Sequence, residues 1–172
     1  MKKIVQGICL FSVSLVFLIA CKKDSTPVYD LTLSLNGATV ILHQATAYVG
    51  PDTLDPGKTS FRLTAATYDS SKAITIDINK DDLTLNAGTY TSDAAGYSMR
   101  VEYFEDITGP LKNYSIFNAP GKGTSVYTVI ITEITSEYIK GTFSGNYLCN
   151  KYSGSNQTVD VTQGEFLALR VY

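Results

Sequence analysis

The side chains that most often carry out chemistry are scarce in this chain. It has a single histidine, His43, and three cysteines, Cys9, Cys21 and Cys149. A metal centre or a catalytic nucleophile needs several such groups at a defined spacing, whereas His43 stands alone inside an apparent strand. We therefore expect His43 to be a structural residue. The common serine-hydrolase and zinc-peptidase motifs do not occur.

Glu102, Glu105 and Asp106 are the best candidates for acid and base catalysis. Glycoside hydrolysis uses two carboxyl groups that are held at a fixed separation across a cleft. These three acids instead cluster where a predicted strand runs into a loop, and acidic residues are common at such positions. We expect no catalytic residue, and a hydrolase with an unrecognised carboxylate site is the least favoured function.

The segment Gly57-Lys58-Thr59-Ser60 has the ending of a phosphate-binding loop. Asp52 occupies the place of the first glycine of that motif, and a strand rather than a helix is predicted from Phe61 to Tyr68. A solvated turn explains the segment better than nucleotide binding does.

A second partial match is to a calcium-binding loop. Asp77, Asn79, Asp81 and Asp82 resemble its opening, but the sixth position is Asp82 instead of glycine and the twelfth is Gly88 instead of glutamate. Polar residues that close a strand explain the same pattern. We therefore predict no metal and no cofactor.

The elements that must position any site are strands. Apolar and polar residues alternate with a period of two through most of the chain, and helical periodicity is almost absent. Turn residues separate the segments, for example Asn36-Gly37, Pro56-Gly57 and Pro120-Gly121. This pattern predicts an all-β domain of about eight to ten antiparallel strands, and the two-sided faces favour a β-sandwich over a barrel. Strands are predicted near residues 29–35, 40–49, 61–68, 74–79, 97–103, 126–135, 139–147 and 166–172.

The longest segment without alternation runs from Phe104 to Ser125, and it is the candidate binding loop. Long loops are often functional, and Tyr114 and Phe117 within it offer aromatic surfaces suited to a sugar ring or a protein partner. The alternative is a short strand around Lys112 to Phe117 whose aromatic side chains are buried.

The N-terminus has the pattern of a secretory leader. Two lysines, Lys2 and Lys3, precede an apolar run from Ile4 to Ala20, which is slightly too short and too mixed for a membrane-spanning helix. The run ends in Leu18-Ile19-Ala20-Cys21, which resembles the lipobox of bacterial lipoproteins. The resemblance implies that residues 1–20 form a signal peptide, that Cys21 is the lipid attachment site, and that its acyl chains anchor the protein to a membrane.

The polar residues 21–27 form the expected tether between this anchor and the domain. Cys-Lys-Lys-Asp at its start is similar to outer-membrane lipoproteins of the Bacteroidota, although its single acid leaves the side of the membrane open. Asp24-Ser25-Thr26 and Asp52-Thr53-Leu54 also match a short O-glycosylation pattern of exported proteins from that group, so Ser25 and Thr53 are candidate acceptors in predicted loops.

Size and charge restrict the function further. Loss of residues 1–20 leaves 152 residues, which is enough for one domain, 28–172. The mature chain has 12 basic and 16 acidic residues, a net side-chain charge of −4. No basic patch indicates nucleic-acid binding. Cys149 has no remaining cysteine with which to form an intramolecular disulfide, and a small core residue is the expected role.

Three segments resemble a family of small Bacteroidota lipoproteins of unknown function: residues 86–90, 139–144 and 159–166. The resemblance implies a β-sandwich and transfers no functional residue. We therefore expect a lipid-anchored, non-catalytic protein of the cell outer membrane that binds a glycan, a peptide or a partner protein. The alternative is a structural or accessory subunit of an outer-membrane assembly.

Overall fold

Strands make up the regular structure of the residues that can be described. The computed structural model describes residues 26–52, 55–81, 84–106, 112–116, 125–150 and 157–172, and these contain no helix. In this part of the chain there is accordingly no apolar helix long enough to span a membrane. The strands are β1 (Leu31–Leu35), β2 (Ala38–Pro51), β3 (Thr59–Ala66), β4 (Lys72–Lys80), β5 (Gly88–Thr91), β6 (Tyr97–Glu105), β7 (Lys112–Ser115), β8 (Thr128–Ile134), β9 (Tyr138–Ser144), β10 (Leu148–Asn150), β11 (Thr158–Val159) and β12 (Val161–Val171).

The strands form one sheet in the order β11-β10-β7-β6-β4-β3-β2-β1-β12-β9-β8-β5. Neighbours in this order are antiparallel, and the sheet curls so that distant strands meet. Phe61 on β3 lies against Phe166 on β12, with ring centroids 6.3 Å apart. Tyr90 on the edge strand β5 makes an edge contact with Tyr97 on β6 at 5.5 Å. The prediction of an all-β, sandwich-like fold is confirmed, with twelve described strands instead of eight to ten.

Alternating side chains explain how this sheet encloses its core. On β3, Phe61 and Leu63 are fully buried, and on β4, Ile74, Ile76 and Ile78 are fully buried. The residues between them face away from the core, as the two-residue period of a strand requires. β3 and β4 therefore each contribute one apolar face to the main hydrophobic core and one polar face to the outside, and Tyr147 and Cys149 form a small separate cluster.

The first hairpin follows the turn chemistry of the sequence. Asn36 and Gly37 both have positive φ, 49° and 81°, which is the backbone of a two-residue turn that matches strand twist. Further along β2 the register with β3 shifts between His43 and Thr46, where Gln44 has φ 53°. Past this irregularity β2 pairs with β12 in parallel, from Thr46 to Tyr48.

All eight strands predicted from the sequence are present, and four shorter ones join them. β5, β10 and β11 have four, three and two residues, which is too short to show a clear alternation. The predicted turn at Pro120-Gly121 lies outside the described residues. So do residues 1–25, which include the predicted leader, the predicted lipidation site Cys21 and the candidate acceptor Ser25, as well as Thr53.

One core residue gives a stability prediction. Tyr127 is fully buried, and its hydroxyl has no hydrogen-bond partner among the described residues. Because an unpaired buried hydroxyl is costly, we expect Tyr127→Phe to increase the free energy of unfolding by about 1 kcal/mol. Tyr90→Phe is the matched control, since the Tyr90 hydroxyl donates to the carbonyl oxygen of Asn86 at 2.7 Å and its loss should be destabilising.

The same substitution should change the alkaline stability of the protein. Burial raises the pKa of the Tyr127 hydroxyl, so the folded state favours the neutral form. The resulting contribution to stability is complete below the ordinary tyrosine pKa of about 10 and is lost as the pH rises above it. Urea unfolding from pH 7 to pH 11 should show a smaller alkaline loss for Tyr127→Phe. A Tyr127→Phe protein less stable than the parent at pH 7 would contradict this account.

Candidate functional site

The outward face of β2, β3, β4 and β6 holds an ordered set of polar side chains. The strand register aligns Tyr48 with Arg62, Arg62 with Asp77, and Asp77 with Arg100. The neighbouring row contains Gly50, Ser60, Asn79 and Ser98 in the same strand order. Adjacent strands lie about 4.8 Å apart, so each row places its side chains side by side.

Asp77 is the buried centre of the first row. Its side chain is 4% exposed, whereas the side chains of Arg62 and Arg100 are 57% and 56% exposed. Arg62 Nε donates to Asp77 Oδ1 at 2.6 Å. Arg100 donates to Asp77 Oδ2 through Nε at 3.0 Å and through Nη2 at 2.5 Å. Hydrogen bonding to this carboxylate raises the pKa of the Arg100 guanidinium.

Hydroxyl and amide groups fill the second row. Ser60 Oγ donates to Asn79 Oδ1 and lies 3.2 Å from Asp52 Oδ2. Asp52 also accepts a hydrogen bond from the backbone N–H of Asp55 at 3.2 Å. These contacts fix the side chains at one end of the row, and Ser98 extends it onto β6.

Tyr48 supplies an aromatic side chain at the edge of this surface. Its ring lies across Gly50, because a Cβ added there would be 2.5 Å from the Tyr48 hydroxyl oxygen and 2.8 Å from Cζ. The hydroxyl donates to the carbonyl oxygen of Pro51 at 2.8 Å. Glycine at position 50 is therefore what allows the half-buried ring to lie along the sheet.

Together these residues form a concavity of about 560 Å³, which we name the arginine pocket. This volume is within the range of about 300–1,000 Å³ that is usual for small-ligand sites. It combines an aromatic surface, two guanidinium groups and a row of hydroxyl and amide groups. The lining residues are Tyr48, Asp52, Ser60, Arg62, Asp77, Asn79, Ser98, Met99 and Arg100.

A second concavity of about 370 Å³ lies over β1, β9 and β12. Polar side chains at its surface include Thr32, Thr142, Gln163 and Glu165, and its described lining contains no basic residue. It lacks the paired charged groups that set the arginine pocket apart.

One of the two aromatic residues of the candidate binding loop, Tyr114, is buried in the domain. Tyr114 is on β7 and is 6% exposed, and its ring lies 6.2 Å from that of Tyr103 in the core. This is the alternative in which the aromatic side chain packs against the sheet. Phe117 lies outside the described residues. The structure thus places Tyr114 in the core, where it is not available to a ligand.

The three candidate carboxylates are directed to different partners. Glu102 is 8% exposed and lies 3.7 Å from Arg100 Nε. Glu105 accepts a hydrogen bond from the core residue Tyr103 at 3.2 Å, and Asp106 pairs with Lys112 at 3.0 Å. Odd spacing along one strand puts residues on opposite faces, which explains why Glu102 and Glu105 do not converge.

The single histidine has a structural environment. His43 Nδ1 lies 3.1 Å from Asp30 Oδ1, and its ring stacks on Tyr68 with centroids 3.9 Å apart. Cys149 is buried and forms no disulfide within the described residues.

The acids of the calcium-like segment do not converge either. Asp77 bonds to two arginines, Asp81 lies 3.7 Å from Lys58, and Asp82 is outside the described residues. In the part of the chain that the structure describes, no three histidine, cysteine, aspartate or glutamate residues are grouped as metal ligands.

Sequence reasoning missed the arginine pocket. Alternation alone puts Asp77 and Asn79 on one face of their strand, and Ser98 and Arg100 on one face of another. Nothing in the sequence indicates that these strands are neighbours. The sequence shows only that one predicted strand carries an acidic residue, Asp77, and that two others each carry an arginine, Arg62 and Arg100.

Comparisons with known proteins add no relative. The scan against protein-family models, the search of curated proteins and the search of solved structures each found no match.

Proposed function

We propose that this protein is a lipid-anchored, non-catalytic module of the cell outer membrane that binds a glycan in the arginine pocket. The composition of the pocket supports this proposal. Sugars present many closely spaced hydroxyl groups, and each can donate and accept a hydrogen bond. Serine hydroxyl, asparagine amide and arginine groups are suitable partners, and tyrosine offers an apolar face with a polar tip.

The anchor supports the same proposal. The predicted tether has seven residues, 21–27, between the proposed lipidation site Cys21 and the start of the domain. A fully extended chain spans at most about 3.6 Å per residue. The tether would therefore hold the domain within about 25 Å of the bilayer surface, where it could capture a polymer passing the envelope.

The accessory-subunit alternative would need a surface for a protein partner. Among the described strands, the two ends of the strand order are β11, with two residues, and β5, with four. Very short edge strands limit pairing with another chain. A tight complex recovered from detergent-solubilised membranes would favour the subunit function over glycan binding.

Gly50→Ala tests the proposed site. The new Cβ would displace the Tyr48 ring and so remove the aromatic surface while keeping every charge. We expect at least a tenfold loss of affinity, about 1.4 kcal/mol, for the glycan that the parent protein binds best on an array. Gly88→Ala is the control, because a Cβ there meets nothing within 4 Å. Full affinity in Gly50→Ala, or an array on which the parent binds no glycan, would refute the proposal.

A further inference from the structure

The hydrogen bonds of Asp77 determine which groups of the arginine pocket face a ligand. Both carboxylate oxygens are occupied, Oδ1 by Arg62 and Oδ2 by Arg100. At 4% side-chain exposure, Asp77 offers almost no surface of its own. A ligand in the pocket therefore meets the two guanidinium groups.

Each arginine keeps donors that the protein does not use. Arg62 is bound to Asp77 through Nε, and Arg100 through Nε and Nη2. The hydrogen bonds of these arginines to described residues use only those nitrogens, which leaves Arg62 Nη1 and Nη2 and Arg100 Nη1 for a ligand. More than half of each side chain is exposed, so these N–H groups are accessible from the pocket.

The charges around the pocket leave the two arginines as its exposed cations. Asp52 at the rim is hydrogen-bonded to Ser60 and to the backbone of Asp55. Glu102 follows Arg100 on the same face of β6, with its carboxylate 3.7 Å from Arg100 Nε, and its side chain is 11% exposed. The two exposed guanidinium groups thus share Asp77, and Arg100 has the largely buried Glu102 as a second acidic neighbour.

The shared carboxylate also holds the guanidinium groups in place. Both arginines bind the same carboxylate from neighbouring strands, which restricts their rotation before any ligand arrives. Groups that are already ordered lose less entropy on binding. An arginine fork matches a planar carboxylate in a bidentate geometry that lysine cannot reproduce.

From this geometry we propose that the arginine pocket selects an acidic sugar, whose ring carboxylate binds Arg62 and Arg100. The inference rests on the proposed glycan-binding function and adds the ligand class. Asp77 is a positioning residue, and the hydroxyl and amide row with Tyr48 contacts the rest of the sugar.

Polygalacturonate and its fully methyl-esterified form are the matched probes, because they share one sugar ring and differ in the carboxylate. Calorimetry with the mature, detergent-solubilised protein should show at least tenfold tighter binding of the acid form. Arg62→Gln should weaken that binding at least tenfold, and Arg62→Lys should restore only part of it. Lys140→Gln removes the same charge from an exposed position on β9 and should have no effect.

Folding defects are controlled by a variant that removes the buried Asp77 charge together with both of its arginine partners. Arg62→Gln/Asp77→Asn/Arg100→Gln replaces the ionic row with neutral side chains of similar shape, and it should fold but not bind polygalacturonate. If this variant melts like the parent and still binds, the assignment of the arginines is wrong.

The remaining outcomes separate this inference from the proposed function. Equal binding of the acid and ester forms, lost in Gly50→Ala, would keep glycan binding and overturn the selection for acid. Polyglutamate binding as tight as polygalacturonate binding would indicate an acidic peptide and overturn the inference. If Lys140→Gln weakened polygalacturonate binding as much as Arg62→Gln does, the binding would be non-specific charge attraction, and the inference would be overturned. Failure to bind polygalacturonate at all also overturns the inference, and failure on the whole glycan array refutes both proposals.

Discussion

Replacing Gly164 with alanine is expected to lower the free energy of unfolding by about 3 kcal/mol, the upper part of the usual range for overpacking a core. The new Cβ would lie 2.4 Å from Cε1 and Cζ of Phe143 and 2.6 Å from the backbone oxygen of Thr32. Phe143 is only 2% exposed, so displacing its ring would disturb the core residues packed around it. For a domain of this size, such a loss lowers the melting temperature by about 10 °C.

A reciprocal arrangement on the same two strands gives a second variant. Gly164 on β12 pairs with Phe143 on β9, and Phe166 on β12 pairs with Gly141 on β9. A Cβ at Gly141 would be 2.7 Å from Cζ of Phe166 and 2.2 Å from the backbone oxygen of Ile130. Each glycine thus makes room for the phenylalanine opposite, and Gly141→Ala should be at least as destabilising.

Thermal melting followed by circular dichroism measures both effects. Gly88→Ala is again the control, since glycine in a strand carries an entropic cost of about 0.5–1 kcal/mol relative to alanine and a Cβ there meets nothing. A melting temperature of Gly164→Ala within 2 °C of that of Gly88→Ala, a margin of about 1 kcal/mol or less, would show that the packing of β9 on β12 is not as described.

Replacing Cys21 with alanine should abolish membrane anchoring. The thiol is the proposed acceptor of the lipid, and removal of the leader depends on that modification in the proteins that the leader resembles. We expect the unprocessed precursor to accumulate, and labelling by a fatty-acid analogue to fall to background. Two or three acyl chains hold a protein at a bilayer, because each buried CH₂ contributes about 0.8 kcal/mol.

Cys149→Ala is the matched control for this experiment. Cys149 is buried in the domain, so its loss should leave processing and labelling unchanged. Labelling of Cys21→Ala at the level of the parent would disprove lipidation at Cys21. That result would not test the arginine pocket or its ligand.

The strands were predictable because their signal is local. The alternation of Ile74, Ile76 and Ile78 with polar residues predicts which side chains enter the core, and it does so without any knowledge of the neighbouring strands. The turn at Asn36-Gly37 was equally visible, since it requires residues that tolerate positive φ. Strands of two to four residues, such as β5 and β11, were missed because so short a segment contains too few alternations.

Tyr114 shows the limit of reasoning from composition. A tyrosine in a segment without alternation suggests a binding surface, and the same residue type fills the edge of a core. Pairing of β7 with β6 decides between the two, because the register sets Tyr114 opposite Tyr103 and so directs both rings inward.

The sequence by itself determined the all-β class, the two faces of each long strand and the expectation of a secretory leader, since these follow from neighbouring residues. The arginine pocket was decided by the tertiary structure. β5 lies between β4 and β6 in the chain, yet it pairs with β8 at the far end of the sheet, and β4 and β6 become neighbours. That long-range pairing brings Asp77 beside Arg100. Strand order depends on how the whole core closes, which no local pattern of residues specifies.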